Sequence, residues 1–228
     1  MRKAWQLMLC GYIMLFGLSA CLKDEKVEPQ KLAGISIYHS SPDTPEMNII
    51  IDDEVITSQA FRYKNYSNFI EVTEGEHRIR FNRFDNGVSL LDSTFSVEVN
   101  RSYSLYIVNT FAKLELWMRE DLSDLPVSGN GRVRCLNLSP DTPKIEVRWV
   151  GESSPLFSGL AFKQASDFKD VPTNTYGLEV KMIGGSGRTV TLTSVAIKES
   201  QFYTILVEGF DNLPAGNTNV FSARVISH

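Results

Sequence analysis

Histidine, cysteine, clustered positive charge and long apolar runs are all scarce in this chain of 228 residues. Its three histidines, His39, His77 and His228, stand far apart, and none has a second His or Cys at metal-ligand spacing, so no zinc site is expected. Three cysteines leave no room for a disulfide framework, because Cys10 and Cys21 belong to the extreme amino-terminal segment and Cys135 is then alone. Lys and Arg number 23 against 27 Asp and Glu, a net charge of -4, which argues against nucleic acid as a partner. Only one long apolar stretch occurs, so a multi-span membrane protein is excluded. There is no Gly-x-Ser-x-Gly elbow and no Walker-type loop, and no cofactor is implied. The remaining composition, 43% hydrophobic with 15 Gly and 9 Pro, is that of an ordinary folded chain.

The single apolar stretch has a definite layout. Arg2 and Lys3 precede an apolar run over residues 4–17, and Leu18-Ser19-Ala20-Cys21 follows. A charged start, a short apolar run and small residues before a cleavage point form a secretory signal. Cysteine directly after Leu-Ser-Ala resembles the lipobox of bacterial lipoproteins, which implies cleavage after residue 20 and a lipid on the Cys21 thioether. A single membrane-spanning anchor is the alternative, since about 18 residues approach the minimum span. Loss of the first 20 residues removes two basic side chains, leaving 21 basic against 27 acidic groups, a balance of -6. Residues 21–32 are charged and aperiodic and read as a tether. Their acidic residues resemble the surface-export signals of Bacteroidota lipoproteins. The expected location is therefore the outer membrane, facing the cell surface, with the periplasmic face as the alternative.

Beyond the tether the chain repeats itself. Ser41-Pro42-Asp43-Thr44-Pro45 recurs unchanged as Ser139-Pro140-Asp141-Thr142-Pro143, 98 residues later. The flanks agree: Ile35 and Ile37 align with Val133 and Cys135, and Met47, Ile49 and Ile51 align with Ile145, Val147 and Trp149. Tyr103, Leu105 and Ile107 match Tyr203, Ile205 and Val207 at an offset of 100, a drift expected from small loop insertions. Such a period is a whole folding unit rather than a solenoid turn. Residues 144–149, 94–99 and 189–195 alternate polar and apolar side chains, as half-buried strands do. Gly184-Gly185-Ser186-Gly187 reads as a hairpin turn, because glycine reaches positive φ at little cost. No long helical pattern occurs. An all-β fold follows, two tandem antiparallel immunoglobulin-like β-sandwiches over residues 33–127 and 131–228. Cys135, aligned with Ile37, falls on an inward face as a core residue.

In the repeated pentapeptide two prolines fix φ at both ends, while serine and aspartate can bond nearby amides. That describes a rigid corner between strands; a metal or glycan contact through Asp43 and Asp141 is the functional alternative. The segment from His39 to Asp52 resembles the His-x-Ser-Pro-Asp-x-Pro opening of a secreted bacterial family, domain of unknown function 4397. The second opening, Asn137 to Gly151, is similar, with Asn137 in place of histidine. The resemblance, extending from about residue 33 to the carboxyl terminus, implies tandem sandwiches on an envelope lipoprotein and brings no catalytic residue.

Candidate ligand chemistry is sparse. Asp52-Asp53-Glu54 and Glu74-Gly75-Glu76 are acidic clusters in turns, with weak calcium binding as the alternative. Four aromatics interleave with Arg, Lys and Asn in Phe61-Arg62-Tyr63-Lys64-Asn65-Tyr66-Ser67-Asn68-Phe69. The aligned stretch of the second copy keeps Phe162 and Phe168, so shared aromatics are expected in the core. Tyr63 and Tyr66 are then the expected exposed contacts, suited to sugar or protein. Three function classes stay open: non-enzymatic binding of protein or glycan, a spacer in a surface assembly, and a hydrolase whose paired carboxylates are only spatial neighbours. The anchor is directly testable. Cys21→Ala should move the protein from the membrane to the soluble fraction, and firm anchoring of the variant would defeat the lipid assignment.

Overall fold

The computed structural model describes residues 31–121 and 124–228, so the signal, Cys21 and most of the tether lie outside the described residues. The first eight strands are β1 (Leu32–His39), β2 (Met47–Ile51), β3 (Glu54–Val55), β4 (Ile70–Thr73), β5 (Gly75–Arg83), β6 (Ser89–Val97), β7 (Ser102–Val108) and β8 (Glu115–Glu120). The next five are β9 (Asn130–Asn137), β10 (Ile145–Trp149), β11 (Phe157–Leu160), β12 (Gln164–Ala165) and β13 (Lys169–Pro172). The last four are β14 (Asn174–Met182), β15 (Thr189–Ile197), β16 (Phe202–Glu208) and β17 (Ser222–Ser227). Among the described residues the only helix is a single turn, Phe111–Lys113.

Four sheets form. Their spatial orders are β4-β1-β7-β8, β3-β2-β5-β6, β12-β9-β16-β17 with β13 also on β9, and β11-β10-β14-β15. The first two enclose one apolar core around Ile35, Ile37, Ile49, Ile79, Phe81 and Leu105. The other two enclose a second around Val133, Cys135, Val147, Val180, Ile205 and Val207. This is an all-β sandwich architecture, as the alternating strands require: one face of each strand enters a core and the other does not. Repetition is close in detail. Strands β1 and β9 are each eight residues long with one burial order, and β7 and β16 are each seven residues long with another. Tyr103 and Tyr203 each accept the N–H of the residue five positions earlier, Glu98 at 3.2 Å and Lys198 at 2.9 Å. Gly184, Gly185 and Gly187 all adopt positive φ in the turn between β14 and β15, as expected.

One departure from the sequence expectation is the strand direction. Strand β1 runs antiparallel to β4 but parallel to β7, and β9 runs parallel to β16. The corner after β1 carries the chain to the opposite sheet, and it returns in β7 heading the same way. Period-two alternation is identical for both directions, so the sequence pattern could not register this.

A third apolar cluster joins the two halves. Tyr38, Tyr106 and Val108 from the first half meet Leu136, Leu138, Leu206 and Ile226 from the second, with Trp117 and Phe162 against them. Tyr38, Tyr106, Val108, Leu136 and Leu206 sit on the faces of β1, β7, β9 and β16 that point away from the two cores. Residues 31–228 accordingly form one compact unit. A polar border closes the junction. Ser40 donates to Glu208 at 2.6 Å, Arg134 pairs with Asp121 at 2.5 Å, and Lys163 pairs with Glu115 at 2.7 Å. Two separable domains remain a proposal, and the junction sharpens its test. Leu206→Ala, at a fully buried junction position, should cost about 3 kcal/mol through lost burial and a residual cavity. Calorimetry should show residues 31–228 unfolding in one shifted transition; two transitions would mean that the halves unfold independently.

Candidate functional site

The repeated corner is a clamp. Thr44 donates to Ser41 Oγ at 2.5 Å, because the single Ser41 proton already goes to the Asn109 carbonyl at 2.7 Å. Ser139 and Thr142 repeat the pair, and Ser139 Oγ donates to the Gly209 carbonyl at 2.6 Å. Asp43 accepts the Phe111 N–H at 2.7 Å, and Asp141 accepts those of Asp211 and Asn212 at 2.9 and 2.8 Å. Each pentapeptide thereby ties the corner after the first strand of its half to the loop after β7 or β16. The carboxylates of Asp43 and Asp141 thus accept from loop backbone, in keeping with the rigid-corner reading. Among the described residues no three His, Cys, Asp or Glu side chains gather as a metal site. Asp52 instead binds His77 Nδ1 at 2.5 Å and the Arg78 N–H at 2.9 Å. Burial opposes charge on His77, but the hydrogen bonds from its ring to Asp52 and the Thr73 carbonyl outweigh it and hold its pKa above the ordinary value.

The aromatic segment is sorted differently from the sequence expectation. Tyr63 is half-buried and its hydroxyl is enclosed without a hydrogen-bond partner. Its ring lies edge-on to His39, 6.3 Å between centroids, and burial, with the nearby Glu208 charge, pushes its ionisation up. It is therefore not an exposed contact. The missed signal was in the repeat: Tyr63 aligns with Phe162, so this position is aromatic and inward in both copies. The turns match as well, since Lys64 and Lys163 both take positive φ, and Asn65 and Gln164 both cap the turn. Phe69 is a second correction: shared with Phe168 and expected in the core, it is 54% exposed. It immediately precedes β4, the edge strand of its sheet.

Tyr66 is exposed, at 55%, and stands at the outer end of an aromatic column. It stacks on Tyr38 at 5.8 Å and 16°, Tyr38 stacks on Tyr106 at 4.9 Å and 22°, and Tyr106 meets Trp117 at 5.8 Å. Beside Tyr66 a groove of about 600 Å³ follows the seam between β2–β3 and the approach to β4. Ile56, Phe61 and Ile70 contribute its apolar surface. Ser58, Gln59, Asn65 and Asn68 contribute the polar surface, and no ionisable group other than the Tyr66 phenol lines it. Polar and apolar side chains share the lining of this open cleft, and its size is that of a small-ligand site.

His39 is fully buried, stacks on Phe61 at 6.1 Å, and neither ring nitrogen has a hydrogen-bond partner. Burial lowers its pKa to about 4, with the nearby Pro45 backbone opposing. Asn137 occupies the same place in the second half with its amide satisfied, donating to the Leu160 carbonyl and accepting from Ser139 N–H. Cys135 is buried among apolar neighbours, as expected, and burial raises its pKa. A thiol so held is a poor nucleophile.

An all-β sandwich protein with clamped corners and an uncharged surface groove is the class these features define. The chain belongs to the family described as Domain of unknown function (DUF4397), whose model matches residues 33–148. The match takes in both pentapeptides and ends in β10, short of the carboxyl terminus; beyond it, the second half is tied to the first by the internal repeat. No curated protein matches the chain. Among solved structures, a family CBM26 module of Eubacterium rectale Amy13K in complex with maltoheptaose is 10% identical, covers 86% of this chain and 96% of its own, and has a TM-score of 0.27. A putative cell adhesion protein from Bacteroides eggerthii is 8% identical over 88% of this chain and 96% of its own, with a TM-score of 0.24. The tip fimbrial protein Mfa3 from Porphyromonas gingivalis is 8% identical over 87% of this chain and 99% of its own, again at 0.24. Scores this low lend nothing to ligand or partner; only the chain's own side chains speak to those.

The buried histidine makes a pH prediction. With a folded pKa depressed from 6.5 to about 4, neutral His39 contributes stability that is full above pH 6.5 and is lost as the pH falls toward 4. Between neutral pH and pH 5 the loss should be about 2 kcal/mol. Urea unfolding of His39→Asn, which copies the second half, should show an acid loss smaller by that amount. An equal loss in both proteins would show that His39 is not buried neutral.

Proposed function

We propose that this protein is a lipid-anchored envelope protein that binds another surface molecule without transforming it, using the groove beside Tyr66. One observation carries the reading: a large uncharged groove next to an exposed tyrosine that is held rigid by a buried aromatic stack. A pre-positioned aromatic contributes contact area with little further loss of freedom on binding. The Leu-Ser-Ala-Cys sequence at residues 18–21 supports anchoring through Cys21, and the charged residues up to 32 support presentation away from the membrane, at the cell surface. Asp43 and Asp141 act as structural ties in this reading and carry no ligand. Partners are a protein or a glycan together with the membrane; nucleic acid is not among them. The second reading, a spacer in a surface assembly, is favoured by the buried junction, which holds the two halves together as one unit.

The groove separates the two. Purified full chain should bind at least one isolated polysaccharide or protein fraction of the native envelope, measured by interferometry. Tyr66→Ala should weaken that binding about tenfold, the scale of one lost aromatic contact, while circular dichroism shows the variant still folded. Binding that ignores Tyr66 would sink the groove reading, and assembly defects confined to junction variants such as Leu206→Ala would favour the spacer.

A further inference from the structure

The groove also limits what its occupant can be. We infer that it takes a neutral saccharide, one sugar ring lying on the open side of Tyr66 with its hydroxyls bonded by Asn65, Asn68 and Gln59; this rests on the binding function proposed above. The first argument is charge. The segment over residues 61–69 contains Arg62 and Lys64, yet both are turned to other work. Arg62 pairs with Glu46 at 2.6 Å, and Lys64 Nζ donates to Ser222 at 2.9 Å across the junction. What remains toward the groove is amide, hydroxyl and aromatic surface. An anionic ligand would meet no cation there, and a cationic one no carboxylate. Desolvating either charge without a partner is unfavourable.

The second argument is the supply of polar atoms. Asn65 Oδ1 accepts the Arg62 N–H at 2.8 Å, which orients the amide and leaves its Nδ2 protons for a ligand. Among the described residues, no hydrogen bond of the protein uses the side chains of Gln59 or Asn68, and each amide offers both a donor and an acceptor. Thr57 Oγ1 and Ser67 Oγ accept the Ile49 and Ile37 N–H groups at 3.0 and 2.9 Å, which holds the two walls in place. Paired donor and acceptor groups around an aromatic face match a molecule with many hydroxyls and apolar C–H faces. That description fits a sugar ring.

The second half provides an internal comparison. Its counterparts of Tyr66 and Asn68 are Ala165 and Asp167, so both the platform and the neutrality are lost. One site per chain follows.

The test uses the full chain in a detergent without a sugar headgroup. Neutral oligosaccharides of glucose, mannose, galactose and xylose are titrated by calorimetry, with polygalacturonate as the charged counterpart. At least one neutral series should bind with one site per chain, with an affinity unchanged between about 0.05 and 0.5 M salt. Tyr66→Ala should weaken it about tenfold or more and Asn68→Ala severalfold, while Tyr66→Phe should retain it. Two sites per chain, Tyr66-independent binding, or binding of polygalacturonate alone would overturn the assignment. If no sugar binds while an envelope protein fraction still depends on Tyr66, the saccharide is wrong and the groove reading survives. If nothing depends on Tyr66, both fall.

Discussion

The packing of Tyr38 and Tyr106 against Leu136 and Leu206 is the contact on which the rest of the molecule depends. Strands β1, β7, β9 and β16 carry apolar side chains on both faces, so each half alone would leave one face of its central pair in water. Bringing those faces together removes both from solvent at once. The same contact draws Tyr63 inward, encloses Glu208 with Ser40 and Arg224, and turns Lys64 toward Ser222. It also stacks Tyr38 between Tyr106 and Tyr66, so the exposed tyrosine inherits its rigidity from the junction rather than from its own loop.

Duplication made the two halves alike in architecture and left them free to differ where they meet. Ser40 and Glu208 form a buried polar contact, whereas their counterparts Leu138 and Val108 both lie in the apolar cluster. Lys64 reaches the start of β17, and Lys163 reaches the start of β8, so the border is reciprocal in position but not in chemistry. A buried carboxylate held by Arg224 and a serine adds little net stability, because desolvation offsets most of the attraction, yet it has few acceptable partners. The two clamped corners keep the loops beyond β7 and β16 in place on either side of this border, and each does so with the same serine, threonine and aspartate.

Strand positions, the hairpin at Gly184, the inward place of Cys135 and the corner role of the pentapeptide were all legible in the sequence, because each is set by neighbours within a few residues or by the repeat itself. The site was only half legible. Tyr66 was correctly expected to be exposed, since the second copy keeps no aromatic at that position. Tyr63 was misplaced because its burial comes from the other half, about 150 residues away in the chain. Phe69 erred in the opposite direction: its aromatic match with Phe168 suggested a core position, but Phe168 gains a T-shaped contact with Phe202 and the Arg134 guanidinium, and Phe69 remains exposed.

By itself the amino-acid sequence determined the all-β class, the repeated unit and the two corners, because periodicity and proline spacing act over short stretches of chain. The tertiary structure alone decided that β1 runs parallel to β7, that the halves share a buried face, that His39 is held neutral, and which aromatics of residues 61–69 meet solvent. Those outcomes depend on surfaces distant in sequence excluding water from one another, and no local pattern records which surface will meet which.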